Sequence, residues 1–229
     1  MVSNFINENR LVESFISLAK INSGSDEIQA ETRIPSTDCQ WNIANYLKDR
    51  LHELGLSDIS LNENAILTAF FEGNSYCDKT VGLFAHFDTS FEVNNENVCP
   101  ILHDKYSGGN IELQEGTVID ANDLKPYVNQ KIITSDGRTL LGADDKAGVA
   151  EIMTLAERLM SPDAPDHCRV CIGFTPDEEI GQGHPEGPDT EDREDHGEFG
   201  FVGSPEGIGR DKGNGPEDHG QTVGQHQPG

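Results

Sequence analysis

A chain of 229 residues has room for one large domain, or for one domain with a tail. Its formal net charge of -25 excludes a nucleic-acid partner and an anionic membrane surface, since both would be repelled. No apolar run approaches the roughly 18 residues needed to cross a bilayer, and Met1-Val2-Ser3-Asn4-Phe5 lacks the basic region and apolar core of a signal peptide, so a soluble cytoplasmic protein is expected. The five cysteines (Cys39, Cys77, Cys99, Cys168, Cys171) are an odd count without framework spacing. Cys168-Arg169-Val170-Cys171 has the CxxC form but runs into a strand pattern and has no second half, so ordinary buried or half-buried thiols are expected.

In chain order, Phe5, Ile6, Leu11, Val12, Phe15, Ile16, Leu18 and Ala19 recur near a helical period and predict an amphipathic helix within 5–21. It ends before the Asn22-Ser23-Gly24-Ser25 turn. Trp41, Ile43, Ala44, Leu47, Leu51 and Leu54 predict a second helix, with Ser36 or Thr37 as its N-cap and Gly55 closing it. Residues 59–61 and 66–71 read as a hairpin of short strands. Val81-Gly82-Leu83-Phe84-Ala85 has the continuous apolar character of a strand buried on both faces, and His86 and Asp88 end it. The polar stretch 92–127 reads as an excursion over the rim of a site. Ile132-Ile133-Thr134 is a short strand, followed by a hairpin-turn signal at Ser135-Asp136-Gly137-Arg138. Ala147 to Leu159 carries a helical pattern, and Val170 to Phe174 is a further buried strand leading to Thr175-Pro176-Asp177-Glu178-Glu179.

Beyond residue 183 the composition changes. The last 46 residues hold 11 Gly and 5 Pro but only 5 apolar side chains, with 11 acids against 3 bases. Such a stretch cannot bury enough surface to offset chain entropy, so 184–229 is expected to be a disordered tail behind a globular part, 1–183.

Three clusters carry the chemistry, and each sits at a strand end, where α/β folds place their sites. In His86-Phe87-Asp88, residues two apart on an extended chain share a side. His86 can then face a metal while Asp88 orients the ring from behind. Asp144-Asp145 enters a helix, and one such carboxylate can bridge two cations. Glu178-Glu179 diverge, so one can bind metal while the other, beside a metal-bound water, serves as general base. Each cluster alone also has a plainer reading: a surface strand end, a helix N-cap or a solvated acidic loop. One imidazole with several carboxylates suits a zinc-type divalent site.

The same residues resemble the peptidase T family, tripeptide aminopeptidases among the dinuclear zinc exopeptidases. The matching stretches are Ile34-Pro35-Ser36-Thr37 with Gln40-Trp41, Ala85-His86-Phe87-Asp88-Thr89-Ser90, Tyr106-Ser107-Gly108-Gly109-Asn110-Ile111, the run from Ile133 to Gly148 that contains Leu141-Gly142-Ala143-Asp144-Asp145-Lys146, and Phe174-Thr175-Pro176-Asp177-Glu178-Glu179-Ile180-Gly181. The resemblance implies an α/β fold, a three-layer mixed sheet flanked by helices, incomplete here and followed by the tail. It implies two zinc ions, with His86 a ligand of one and Asp88 its support, Asp144 bridging both, Glu179 a ligand of the second and Glu178 the general base. The implied substrate is a short peptide cleaved at its free N-terminus.

The family pattern also requires an acid about twenty residues past Glu179 and a late His. The first position falls near Phe201, and neither ligand has a matching context here. The inserted dimerisation or lid domain has no residues in this chain either. The expectation is therefore a truncated or frame-shifted family member with little activity by itself. The competing expectation is a non-catalytic protein whose acidic, His-bearing tail (His184, His196, His219, His226) sequesters cations or docks a partner.

Overall fold

Five strands build the main sheet of the computed structural model, which describes residues 6–182 and the backbone of 199–201. The chain begins with helix α1 (Glu8–Ala19), whose N-cap Asn7 accepts from the amides of Asn9 and Arg10. Helix α2 (Gln40–Glu53) follows, then strands β1 (Ile59–Leu61) and β2 (Leu67–Phe71), which form the expected antiparallel hairpin with Ile59 opposite Ala69. Strand β3 (Thr80–His86) leads to a rim segment holding β4 (Ile101–His103), β5 (Ile111–Glu112), β6 (Val118–Ile119) and the short helix α3 (Ala121–Leu124). After β7 (Ile132–Thr134) come helix α4 (Ala143–Leu159), strand β8 (Arg169–Thr175) and strand β9 (Phe199–Phe201).

The sheet order is β1-β2-β8-β3-β9. Strand β8 is the hinge of the arrangement, antiparallel to β2 on one side and parallel to β3 on the other. Parallel neighbours need a crossover, and α4 lies in the one between β3 and β8, packed against β3. Parallel register sets Ala85 beside Phe174 and His86 beside Thr175, so both strands end at the same level. That alignment brings the first and third sequence clusters together.

Alternation along the strands divides the sheet into two unlike faces. Leu67, Ala69 and Phe71 of β2, Val170, Ile172 and Phe174 of β8 and Ala85 of β3 join one core with Phe15 and Leu18 of α1, Ile43, Leu47 and Leu51 of α2, and Val149, Ile152 and Met153 of α4. All three long helices thus share one face. The described residues supply the sheet and one helical layer of the three-layer architecture. On the opposite face the Phe84 ring lies over Gly82 and Gly173, where a side chain at residue 173 would collide with it. The Arg169 guanidinium sits 4.4 Å above the Phe70 ring.

Several expectations need correction. Phe84 is 44% exposed, so β3 is not covered on both faces among the described residues. The N-cap of α2 is Cys39, without a side-chain cap bond. Ser36 and Thr37 are engaged elsewhere, Thr37 donating to the Gly24 carbonyl at 2.6 Å. The turn at 135–138 does not close a hairpin, because β7 pairs back with β4 (Ile101 opposite Thr134) and the chain then proceeds into α4. The rim segment is more than a polar excursion: Tyr106, Ile111 and Leu124 form a small core of their own. Cys77 and Cys168 are joined in a disulfide with Cα atoms 5.2 Å apart, which CxxC spacing could not reveal because the partners are 91 residues apart. Cys39, Cys99 and Cys171 remain thiols; Cys171 is buried and Cys39 half-buried as expected, whereas Cys99 is exposed. The expected tail lies outside the described residues except for 199–201, whose backbone runs parallel to β3 with Phe201 opposite Gly82.

The disulfide links the entry to β3 with the entry to β8. Alkylation of the air-oxidised, denatured chain is expected to label three cysteines, and all five after reduction. Reduction should lower the unfolding free energy by about 2–4 kcal/mol. Five labelled thiols before reduction would contradict the pairing.

Candidate metal centre

The site is built where β3 and β8 end and α4 begins. Strand pairing continues one step past β3, with the Phe87 amide donating to the Thr175 carbonyl at 3.0 Å. This fixes His86 and Asp88 beside the turn that carries Asp177, Glu178 and Glu179. The third side comes from Gly142, which has φ +71 and stands so close to Thr89 that a Cβ there would lie 2.9 Å from its methyl group. Only glycine meets both conditions, and it delivers Asp144 to the face of His86.

His86 is buried, and its Nε2 lies 3.1 Å from Asp144 Oδ1 and 3.5 Å from Glu178 Oε2. Its Nδ1 lies 3.3 Å from Asp88 Oδ1, yet that approach makes no hydrogen bond and leaves Nδ1 without a hydrogen-bond partner. Burial alone would lower the pKa of the ring. The adjacent carboxylates of Asp88, Glu178 and Asp144 outweigh it and raise the ring to about 9. At neutral pH the imidazole is therefore a cation that holds two carboxylates to itself.

Asp88 has a further task that the sequence did not disclose. It is fully buried and accepts from the Glu178 amide at 3.0 Å and from the Glu179 amide at 3.2 Å. One carboxylate thus faces the imidazole and fixes the backbone of both glutamates. Glu179 is half-buried, and its pKa is raised first by burial and then by the charges of Asp144, Asp88 and Glu178, against the opposing pull of His86.

The side chains of Asp144 and Asp145 go to different partners. Asp144 faces His86, whereas Asp145 Oδ1 accepts from the Gly148 amide at 3.0 Å, in the manner of an N-cap. Burial, opposed by His86, raises the Asp145 pKa. Lys146, the next residue, is buried and donates to the Ile21 carbonyl at 2.7 Å. Burial lowers its pKa to about 8, against the opposing charges of Cys39 and Asp88.

His86, Asp88, Asp144, Glu178 and Glu179 are thus gathered at one place, although the first and last lie 93 positions apart in the chain. Among the described residues no group of three or more His, Cys, Asp and Glu side chains is disposed to hold a metal ion as it stands. The donor chemistry nevertheless fits a divalent cation. One imidazole nitrogen faces two carboxylates, like charges crowd around them, and His86 itself now serves as the counter-charge. Asp177 and Gln40, which bond to each other and to Ser36 behind this turn, received no role from the sequence, and Ser36 was read only as a candidate helix cap. Asp177 sat beside the Glu178-Glu179 pair, and nothing in the sequence marked it as the fully buried acid of the three.

No family model matches the chain. Peptidase T of Lysinibacillus sphaericus (strain C3-41) is 44% identical over 178 residues, covering 76% of this chain and 43% of the relative. Peptidase T of Geobacillus kaustophilus (strain HTA426) is 43% identical over 181 residues, with the same coverage of 76% and 43%. Among solved structures, a tripeptidase from Staphylococcus aureus superposes with a TM-score of 0.55 at 26% identity, over 77% of this chain and 38% of that one. The aminopeptidase PepT from Bacillus cereus ATCC 10987 gives 0.53 at 23% identity, again over 77% and 38%, which speaks to the fold alone.

The described residues have the fold of a zinc-exopeptidase catalytic domain, in part. Within that class the resemblance to the peptidase T family is thereby shown, and it falls on the amino-terminal part of that family. The chain spans less than half the length of the curated relatives it matches, 43% in both cases above.

Asp88→Ala removes the acceptor of two backbone amides together with the charge behind His86. It is expected to cost about 2–4 kcal/mol of unfolding free energy, read by urea denaturation. A loss below about 0.5 kcal/mol, the level of ordinary surface substitutions, would contradict this placement of Asp88.

Proposed function

We propose that the chain carries the amino-terminal part of a zinc-dependent tripeptide aminopeptidase active site. The supporting observation is the convergence of His86 Nε2, Asp144 and Glu178 at one strand-end level, with Asp88 behind them. In this reading His86, Asp144 and Glu179 would hold the metal, with Asp144 the ligand shared by both ions. Bound zinc would supply Lewis-acid polarisation of a peptide carbonyl and acidification of a water molecule.

The protein's own contribution is positional and protonic. Asp88 holds the imidazole from behind and keeps both glutamates in place. Glu178 is half exposed at the mouth of the cluster, where its carboxylate can take a proton from a water and return it to a leaving amine. Asp145 stays on the helix end and leaves Asp144 free to face the cations. The crowded carboxylates favour a free ammonium group near the site, which accords with a substrate read from its N-terminus.

Residues 1–183 form the catalytic part in this reading and 184–229 a tail without a catalytic role. Metal-dependent activity of the chain on its own is proposed to be poor, since the ligands within the described residues do not close a site. The proposed partners are short peptides, with neither nucleic acid nor membrane among them. No helix among the described residues is long and apolar enough to cross a membrane, and a cytoplasmic location belongs to the same proposal.

Calorimetric titration with zinc is the test. His86→Ala and Asp144→Asn should each weaken binding at least about tenfold, while deletion of 184–229 should leave it within about threefold. The opposite pattern would favour cation sequestration by the tail and overturn the assignment. Tripeptide hydrolysis by the zinc-loaded chain should stay far below the ordinary enzyme range of about 1–1000 per second, and turnover within that range would contradict the proposal of poor activity.

A further inference from the structure

Behind the two glutamates lies a second carboxylate that the reaction does not use. Asp177 is fully buried, and no ion pair to it forms among the described residues. Its Oδ2 accepts from the Ser36 amide at 2.6 Å, and its Oδ1 accepts from the Ser36 hydroxyl and from Gln40 Nε2, both at 2.6 Å. Its own amide donates to Gln40 Oε1 at 3.2 Å. A buried carboxylate is tolerated only when its lone pairs are met, and here neutral donors from two residues meet them. The Ser36 hydroxyl also accepts from the Asp26 amide at 2.9 Å. From there the segment returns to β3, with the Ser25 amide donating to Thr89 at 3.1 Å and the Ser23 hydroxyl to Phe87 at 2.7 Å.

The backbone at Asp177 is left-handed, with φ +57 and ψ +24. That conformation is unfavourable for a non-glycine residue and persists only when the surroundings impose it. It reverses the chain immediately before Glu178, so the direction in which Glu178 and Glu179 leave β8 is set at this residue.

We propose that Asp177, Ser36 and Gln40 are positioning residues: their hydrogen-bond network holds the left-handed turn that presents Glu178 and Glu179 to His86 and Asp144. The inference rests on the metal-site reading for its functional meaning, but its geometry can be tested without metal. Ser36 and Gln40 lie far from the acids in sequence and, among the described residues, form no hydrogen bond to His86, Asp88, Asp144, Glu178 or Glu179. Asn at position 177 keeps the tolerance for left-handed backbone but removes the charge and one acceptor oxygen. Alanine at position 36 removes a single hydroxyl.

The test is residue-resolved amide exchange by NMR on the metal-free chain, comparing the wild type with Asp177→Asn and Ser36→Ala. Both variants are expected to speed exchange of the Glu178 and Glu179 amides by about tenfold or more, while Ile172, Gly173 and Phe174 in β8 stay within about threefold. A purely structural role would instead accelerate the whole strand with the glutamates, and that result would overturn the proposal. Unchanged exchange at the two glutamates would do the same, as would fast exchange of both in the wild type. If Asp177→Asn does not fold, Ser36→Ala decides alone. Cobalt titration of the same samples separates the two readings. A wild-type chain that binds no cobalt overturns the metal reading while the exchange pattern still judges the network. With binding, both variants should weaken it about tenfold or more.

Discussion

The Asp88 carboxylate is the contact on which the arrangement depends. It is buried at the end of β3, beside the His86 ring, and it accepts the amides of Glu178 and Glu179 from the end of β8. A carboxylate in that place must be stabilised by donors and positive charge, and the two strand ends supply both. Parallel register between β3 and β8 makes this possible, because it places His86 level with Thr175 without any intervening loop. The helical core beneath keeps the register, with Ala85 and Phe174 in the same buried cluster. Packing on one face thus fixes electrostatics at the end of the sheet.

Electrostatics then argue for a cation. Asp88, Asp144 and Glu178 face one imidazole, and the pKa values of nearby Glu179 and Asp145 are raised by burial and neighbouring charge. His86 is raised to about 9 after burial is offset by the carboxylates, so the ring acts as their counter-ion. A divalent ion of the right size could take over the counter-charge that His86 supplies to Asp144 and Glu178. The left-handed turn at Asp177 fits the same picture. Backbone held out of its preferred region is found where side-chain placement matters.

Much of this was legible in the sequence, for physical reasons that differ by element. The helix at 8–19 and the hairpin at 59–71 follow from local periodicity and turn residues, and both formed. The three acidic and histidine clusters were readable because strand ends are where α/β folds concentrate ligands. Asp144 and Asp145 were open to two readings, metal bridge or helix cap; Asp145 takes the cap bond, and Asp144 lies against His86. What escaped was non-local. Ser36 looked like a helix cap because capping is a local rule, yet its hydroxyl is taken by Asp177, 141 residues away. Cys77 and Cys168 are joined only because β3 and β8 start side by side. The exposure of Phe84 is likewise non-local, since an apolar run says nothing of which face the described helices cover.

The most direct measurement is a crystal structure of the chain grown with zinc, with anomalous scattering recorded at the zinc edge. The account predicts a peak between His86 Nε2 and Asp144, about 2.0–2.2 Å from each. Density for zinc only on other histidines or acids, with His86 still bonded to Asp144 and Glu178, would contradict it.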